Sequence, residues 1–196
     1  MAVSNDLIRE LRERTGCGIQ ACRQALGESQ DNLDKAIDYL RKKGLADASK
    51  KSGREAGSGS VFTYIHAGSK LGVLLELNCE TDFVANTELF QELGKDLCMH
   101  ICAAKPTAIK REDIPKEVIE REKEIYREQV KDKKDEVREK IVDGKLEKFY
   151  QDNVLLEQAF VKDDRKVEDV IKEKIGVLKE NIVPRRFVRY QVGEKN

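Results

Sequence analysis

The sequence lacks several features that would assign it to a functional class at once. It has no tryptophan, three prolines and two histidines, and its 37 basic residues balance 37 acidic ones, so the formal net charge is zero. Proteins that bind nucleic acid usually carry a basic excess, so we expect no direct binding of DNA or RNA. No apolar run approaches the ~20 residues that cross a bilayer. The N-terminal residues lack the apolar stretch of a signal peptide, and we expect a cytoplasmic protein without membrane contact.

Cysteine and histidine are too sparse for the common catalytic and metal-binding patterns. The five cysteines are an odd number without regular spacing, which favours free thiols. Cys98 and Cys102 lie one helical turn apart with His100 between them and could share a metal, but small core side chains are the better interpretation because no fourth ligand is evident. Neither His66 nor His100 lies in a nucleophile motif, and no glycine-rich phosphate loop is present. We therefore expect no enzyme activity, catalytic residue, metal or cofactor.

The N-terminal part of the chain carries three apolar patterns at helical spacing. They predict a small three-helix domain over residues 1–45, with a break between the first two helices at residues 15–18 and a glycine stop for the third at Gly44. Residues 46–60 are small, polar and rich in glycine and serine. They predict a linker that is helical at first and flexible later.

After the linker the period changes from helical to alternating. Residues 61–66 and 71–79 predict a β-hairpin, and a stretch at about 186–192 predicts a last strand that joins it. Helical patterns lie between, so residues 61–196 predict an α+β core with a small three-stranded antiparallel sheet. The alternation places one apolar set on a single face of the second strand: Leu71, Val73, Leu75, Leu77 and Cys79.

Charged residues dominate the segment 116–140. The simpler interpretation is a solvated helix or helical hairpin with one narrow apolar face. The alternative is a protruding arm that grips a partner. Further helices are predicted at 144–160 and 167–181.

The turn after the second strand is the least usual part of the sequence. Glu80 and Asp82 could serve acid–base chemistry, but no third group accompanies them. Asp82 alone is explained by the start of a helix, where a carboxylate is favourable. Phe83 is left with two interpretations, a core residue or an exposed aromatic ring that enters another protein.

Several blocks of the sequence resemble the bacterial translation elongation factor Ts family. They are "LRERTGCGIQACRQAL", "ELNCETDFVANTELF", "GKLEKFY", "LLEQAFVKD" and "ENIVPRRFVRYQVGE", in the order and spacing of the family. Together they cover nearly the whole chain.

The resemblance implies a guanine-nucleotide exchange factor that promotes GDP release from elongation factor Tu during translation. It implies that Thr81, Asp82, Phe83 and Val84 insert into the nucleotide domain of that GTPase and disturb its Mg²⁺ and phosphate site. It also implies that the three-helix unit is similar to a ubiquitin-associated domain and makes a weaker contact with the same partner. We assign that contact to four residues: Arg12, Ile19, Gln20 and Arg23.

The sequence departs from the family pattern at two points. Ile19, Gln20 and Ala21 stand where the family commonly has two methionines and an aspartate, so the N-terminal contact is expected to be weaker or rearranged. Only one Thr-Asp-Phe block is present, whereas longer members carry two related core halves. We therefore predict a homodimer through the sheet face that carries Leu71 to Cys79, which would bring Cys79 near its own copy. The alternative is a monomer in which helices at 145–157 and 167–179 cover the sheet.

Two other interpretations remain at this stage. The three-helix unit alone would suit a ubiquitin-like or peptide-binding module, although that leaves residues 61–196 unexplained. An RNA-binding translation protein is disfavoured by the zero net charge.

Overall fold

The computed structural model describes residues 3–194, which form an α+β fold with eight α-helices and one antiparallel sheet in the strand order β1-β2-β3. The helices are α1 (Asn5–Thr15), α2 (Ile19–Glu28), α3 (Leu33–Lys51), α4 (Asp82–Ala85), α5 (Glu88–Ala104), α6 (Lys116–Gln129), α7 (Asp135–Asn153) and α8 (Val167–Leu178). The strands are β1 (Ser58–Ile65), β2 (Leu71–Cys79) and β3 (Ile182–Gln191). None of these helices is both long enough and apolar enough to cross a membrane.

Helices α1 to α3 enclose a small cluster of buried apolar residues. Gly16 ends α1 in the left-handed conformation, with φ 67°, and its N–H donates to the Arg12 carbonyl oxygen at 2.8 Å. Glycine suits this position because it has no Cβ to clash there. The core contains Ile8, Leu11, Cys22, Ala25, Leu26, Ala36 and Leu40.

The predicted glycine stop of the third helix is wrong. Helix α3 continues through Gly44 to Lys51, and Gly44 is buried. A Cβ atom built on Gly176 of α8 would lie only 2.7 Å from the Gly44 Cα atom. Gly44 therefore permits a close approach of two helices instead of ending one, which a local sequence pattern does not reveal.

The sheet confirms the predicted hairpin and extends the predicted last strand. The bounds of β2 match the prediction, whereas β1 begins at Ser58 instead of residue 61. Strand β3 begins at Ile182 and contains Pro184. Proline is tolerated there because β3 is an edge strand, where one row of N–H groups needs no partner in the sheet.

The apolar face predicted as the dimer surface is already covered within the chain. Val73, Leu75, Leu77 and Cys79 are at most 2% exposed. The reason offered for dimerisation through this face is therefore wrong, and so is the expectation that Cys79 meets its own copy. The apolar side chains that remain exposed on the strands are others: Val61, Ile65, Leu74 and Tyr190.

The charged segment forms a helical hairpin. Helices α6 and α7 pack against each other, and Arg127 donates to both oxygens of Glu139 at 3.2 and 3.1 Å. The second helix begins at Asp135 instead of residue 144. It continues through Gly144, and Val142 and Leu146, one turn apart, are buried on one side of it. Whether this hairpin grips a partner stays a prediction.

The chain divides into two compact units. Unit 1 consists of residues 1–60, 77–93 and 169–183, and unit 2 of residues 61–76, 94–168 and 184–196. The division into a domain 1–45, a linker 46–60 and a core 61–196 stays a prediction.

Helix α5 buries one apolar stripe. Phe90, Leu97 and Ile101 are fully buried and Leu93 nearly so. In unit 2 the helix approaches β1 closely, since a Cβ atom on Gly94 would overlap the Phe62 ring. The buried Cys98 thiol has a pKa raised by burial to about 12, which is typical of a structural cysteine and not of a reactive one.

Both ring nitrogens of His100 are occupied in unit 2. Nε2 lies 2.9 Å from Oε1 of Gln158, and the Val161 N–H donates to Nδ1 at 3.3 Å. The network assigns the ring proton to Nε2, because Nδ1 must accept. Burial lowers the pKa of His100, against an opposing effect of the Gln158 hydrogen bond. This side chain is therefore a satisfied core histidine.

The fold should lose stability in mild acid because of His100. Below its ordinary pKa of 6.5 the unfolded chain binds a proton that the folded chain excludes until its own lower pKa is reached. The contribution of His100 to the free energy of unfolding is therefore fully present above pH 6.5. It decreases below that pH by at most about 1.4 kcal/mol per pH unit. Urea denaturation between pH 7.5 and about 5 should show this decrease in the free energy of unfolding. The decrease should be smaller in His100→Gln and unchanged in the control variant His66→Gln. Equal slopes in all three proteins would contradict the assignment.

Candidate functional site

The turn after β2 forms a short helix that presents an aromatic ring to solvent. Thr81 caps α4, since its hydroxyl accepts from the Val84 N–H at 3.4 Å, and its carbonyl oxygen accepts from the Cys79 thiol at 3.1 Å. Phe83 is 82% exposed, the highest value among the exposed large hydrophobic residues. Ala85, two residues later, is buried. The motif is therefore anchored on both sides of Phe83. The exposure of the ring shows that Phe83 is not a core residue.

The two acidic residues of the turn have different surroundings. Asp82 is exposed at the first position of α4. Glu80 accepts a hydrogen bond from the Asn181 N–H at 2.7 Å and lies 3.5 Å from an Arg54 guanidinium nitrogen. Within residues 3–194 no three His, Cys, Asp or Glu side chains are grouped so as to hold a metal. Glu80 thus serves the structure of the turn, and Asp82 is the carboxylate available to another molecule.

A second carboxylate holds the start of α4. Glu180 accepts from the Thr81 N–H at 3.0 Å through Oε2 and from the Thr81 hydroxyl at 2.7 Å through Oε1. Asn181, which is buried, donates from its side-chain amide to the Arg54 carbonyl oxygen at 2.8 Å. These contacts fix the turn from the side of α8 and β3.

The far end of α4 is fixed by residues that lead into α5. The Thr87 hydroxyl donates to the Val84 carbonyl oxygen at 2.8 Å, and the Gln91 side-chain amide donates to the Ala85 carbonyl oxygen at 2.8 Å. The Asn86 side-chain amide donates to the Asp82 carbonyl oxygen at 2.9 Å. These side chains add to the backbone N–H groups of Asn86 and Thr87, which donate to the Asp82 and Val84 carbonyl oxygens at 3.1 and 3.0 Å.

The predicted N-terminal contact residues are exposed in the same compact unit. Arg12 lies in the last turn of α1, and Ile19, Gln20 and Arg23 lie in the first part of α2, with Ile19 49% exposed. The turn between these helices lies against the start of α5, since a Cβ atom on Gly16 would be 3.4 Å from Cδ1 of Leu89. Unit 1 thus contains both groups of predicted partner-binding residues.

Comparison with known sequences decides the family. The sequence profile of the family described as Elongation factor TS matches residues 46–194. The chain belongs to the elongation factor Ts family.

Individual members of the elongation factor Ts family match nearly the full chain. Elongation factor Ts of Thermosipho melanesiensis is 55% identical over 195 residues, which are 98% of this chain and 100% of the relative. Elongation factor Ts of Moorella thermoacetica is 55% identical over 190 residues, which are 95% of this chain and 94% of the relative. Elongation factor Ts of Thermotoga neapolitana is 53% identical over 196 residues, the whole of both chains.

The structure adds three residues to the site that sequence reasoning did not assign to it: Arg54, Glu180 and Asn181. Glu180 and Thr81 are separated by 99 positions, so no local period connects them. The only signal available was that Glu180 and Asn181 open one of the sequence blocks that resemble elongation factor Ts. Even so, membership of a shared block does not say which residue contacts which.

Proposed function

We propose that this chain is a guanine-nucleotide exchange factor that promotes GDP release from elongation factor Tu during translation elongation, in the cytoplasm. Membership of the elongation factor Ts family supports the partner and the process. The observation that carries the mechanism is the exposure of Phe83, at 82%, on an anchored turn. Because the ring is exposed in the free chain, its apolar surface is available for burial against a partner.

The mechanism needs no covalent step, and we propose no enzymatic role. An exchange factor binds the nucleotide-free form of its partner more tightly than the nucleotide-bound form. It therefore lowers the partner's affinity for nucleotide by the same factor by which nucleotide lowers the partner's affinity for the exchange factor. Burial of the Phe83 ring in an apolar crevice of the partner supplies about 2 kcal/mol. That energy corresponds to about a 30-fold change in affinity.

Asp82 gives the insertion its second element. It stands at the exposed start of α4, where its carboxylate can accept N–H groups of the partner or face the phosphate and Mg²⁺ site. A carboxylate placed there competes with the nucleotide phosphates for the same donors and cation. Thr81 and Val84 hold the two ends of the insertion, and Phe83 fills the apolar space.

Release of fluorescently labelled GDP from elongation factor Tu tests the proposal. The chain is added at catalytic and at saturating concentrations, with excess unlabelled GDP to trap the empty partner. Acceleration of release, together with weaker binding of the chain to the GDP-bound partner than to the empty one, is expected. Release at the spontaneous rate at every concentration would overturn it.

The N-terminal helices make a second, weaker contact in this proposal, similar to that of a ubiquitin-associated domain. Ile19 is half exposed, so its further burial on binding is worth about 1 kcal/mol. Ile19→Ser should therefore weaken the complex with nucleotide-free elongation factor Tu about fivefold by titration calorimetry. Val161→Ser, at a similarly exposed aliphatic residue of unit 2 outside the charged hairpin, is the control. Equal affinities of the two variants would remove α2 from the interface.

The homodimer remains a proposal, now with a different surface. Ile65 and Tyr190 are exposed strand residues of unit 2, and Ile65 also lies against Gly72, where a Cβ atom would be 2.9 Å from its Cδ1. A second copy that offers the same surface would bury these side chains, as a two-fold interface requires. Sedimentation equilibrium should then give twice the 22.3 kDa of one chain, and Ile65→Lys should restore the single mass. A mass of 22.3 kDa for the unchanged chain at all concentrations would exclude the dimer.

A further inference from the structure

We propose that Glu180 is a positioning residue that holds the Thr81–Val84 motif ready for insertion. The inference rests on the proposed function, because it assigns a role to a residue that supports the inserting motif without being part of it. Both carboxylate oxygens of Glu180 are used on Thr81, one on the backbone N–H at 3.0 Å and one on the hydroxyl at 2.7 Å. The two contacts fix the position of the first residue of the motif and the rotation of its side chain.

The Thr81 hydroxyl transmits this constraint into α4. It donates to Glu180 and accepts from the Val84 N–H at 3.4 Å. A hydroxyl that donates its hydrogen bond to a carboxylate presents only its lone pairs to other donors, so Glu180 orients the helix cap. Phe83 stands between the two anchored residues.

Helix α4 needs such support because of its length. It has four residues, Asp82–Ala85, and so contains scarcely more than one turn. A helix this short does not persist on its own in water, because nucleation costs more than one or two hydrogen bonds return. The direction of the Phe83 ring therefore depends on the contacts that hold the helix ends.

Glu180 is itself held in place by its neighbours in unit 1. Lys179, just after α8, has a φ of 63°, and this left-handed residue turns the chain away from the helix axis. The N–H of Asn181, the residue after Glu180, donates to Glu80 at 2.7 Å, and the Asn181 side-chain amide donates to the Arg54 carbonyl oxygen at 2.8 Å. Glu180 thus accepts from the backbone N–H of Thr81, and Glu80 accepts from the backbone N–H of Asn181. Residues 80–81 and residues 180–181 therefore hold each other through two carboxylates.

A carboxylate at position 180 matches the two donors that Thr81 offers, its backbone N–H and its hydroxyl. A glutamine can accept from only one of them. Its NH₂ group can then meet the hydroxyl only as a donor, which turns the hydroxyl hydrogen away from position 180 and weakens the charge-assisted contact. Replacement by alanine removes both acceptors and leaves the Thr81 N–H without its partner.

The first test measures GDP release from elongation factor Tu at saturating concentrations of each variant. Glu180→Ala should lower the maximal acceleration about tenfold, and Glu180→Gln should lie between it and the unchanged chain, since a misplaced group costs up to about 100-fold. Asp47→Ala is the matched control, because Asp47 accepts from Lys179 at 3.1 Å, next to Glu180, but has no contact with the motif. It should stay within about twofold of the unchanged chain.

The second test is independent of the partner. Amide hydrogen exchange of the free chain should become at least about tenfold faster at Thr81 and Val84 in Glu180→Ala, with core amides such as that of Leu97 unchanged. If this variant does not fold, Thr81→Val, which removes only the hydroxyl contact, takes its place in both tests. An unchanged chain that fails to accelerate GDP release refutes the proposed function, and the amide exchange then still decides the positioning. The positioning role is refuted if the Glu180 variants accelerate GDP release as much as the unchanged chain does. It is also refuted if amide hydrogen exchange at Thr81 is unchanged in these variants.

Discussion

Replacement of Phe83 by alanine is expected to reduce the acceleration of GDP release about 30-fold while leaving the stability of the chain within about 0.5 kcal/mol. The ring is 82% exposed in the folded chain, so its removal takes away little buried surface. All of the loss should appear in the complex, where the ring would be buried. Stopped-flow release of labelled GDP and urea denaturation of the same preparation measure the two effects.

Phe90→Ala is the control for this prediction. Phe90 lies seven residues later in the same sequence block and is 0% exposed. Truncation of a buried phenylalanine costs about 3–5 kcal/mol, so this variant should unfold at much lower urea concentration. If Phe83→Ala is destabilised to a similar extent, or exchanges nucleotide as fast as the unchanged chain, Phe83 is not the inserting ring.

Much of the secondary structure follows from local patterns. Strand β2 has the predicted bounds because its alternation of apolar and other residues is nearly uninterrupted from Leu71 to Cys79. The break between α1 and α2 follows from Gly16, whose φ of 67° few other residues adopt at low cost. In both places one residue or one period dominates, and tertiary contacts agree with it.

The available sheet face was misjudged for a different reason. The strongly apolar face of β2 is core, as its composition suggests, but the opposite face is not uniformly polar. Ile65 and Leu74 are exposed, yet the residue two positions before each is polar or small: Thr63 and Gly72. An apolar patch assembled from separate strands is visible only when the strands are side by side.

The candidate site shows the same limit of sequence reasoning. Thr81 to Val84 could be located from the resemblance, but α4 is too short for a period to say whether Phe83 points inward or outward. Glu180, which supports the start of α4, lies 99 positions from Thr81 in the sequence. Long-range contacts of this kind have no local signal in a single sequence.

Replacement of Gly176 by alanine is expected to destabilise the fold by about 2 kcal/mol. The new Cβ atom would lie 2.7 Å from Gly44 Cα and 3.3 Å from the Gly44 carbonyl carbon, both backbone atoms inside α3. A backbone in the middle of a helix cannot rotate away as a side chain can, so α3 and α8 must separate. Overpacking of this kind costs up to about 3 kcal/mol, and the better helix propensity of alanine offsets about 1 kcal/mol.

Gly44→Ala is the matched control, because the contact between the two glycines is not symmetric. A Cβ atom on Gly44 would lie 3.7 Å from Gly176 Cα, which is an ordinary van der Waals distance. Alanine is also the better residue in the interior of α3, so Gly44→Ala should stabilise the chain by about 0.5–1 kcal/mol. Urea denaturation of both variants should therefore show shifts of opposite sign. Shifts of the same sign would mean that α3 and α8 do not approach each other as closely as the two glycines allow.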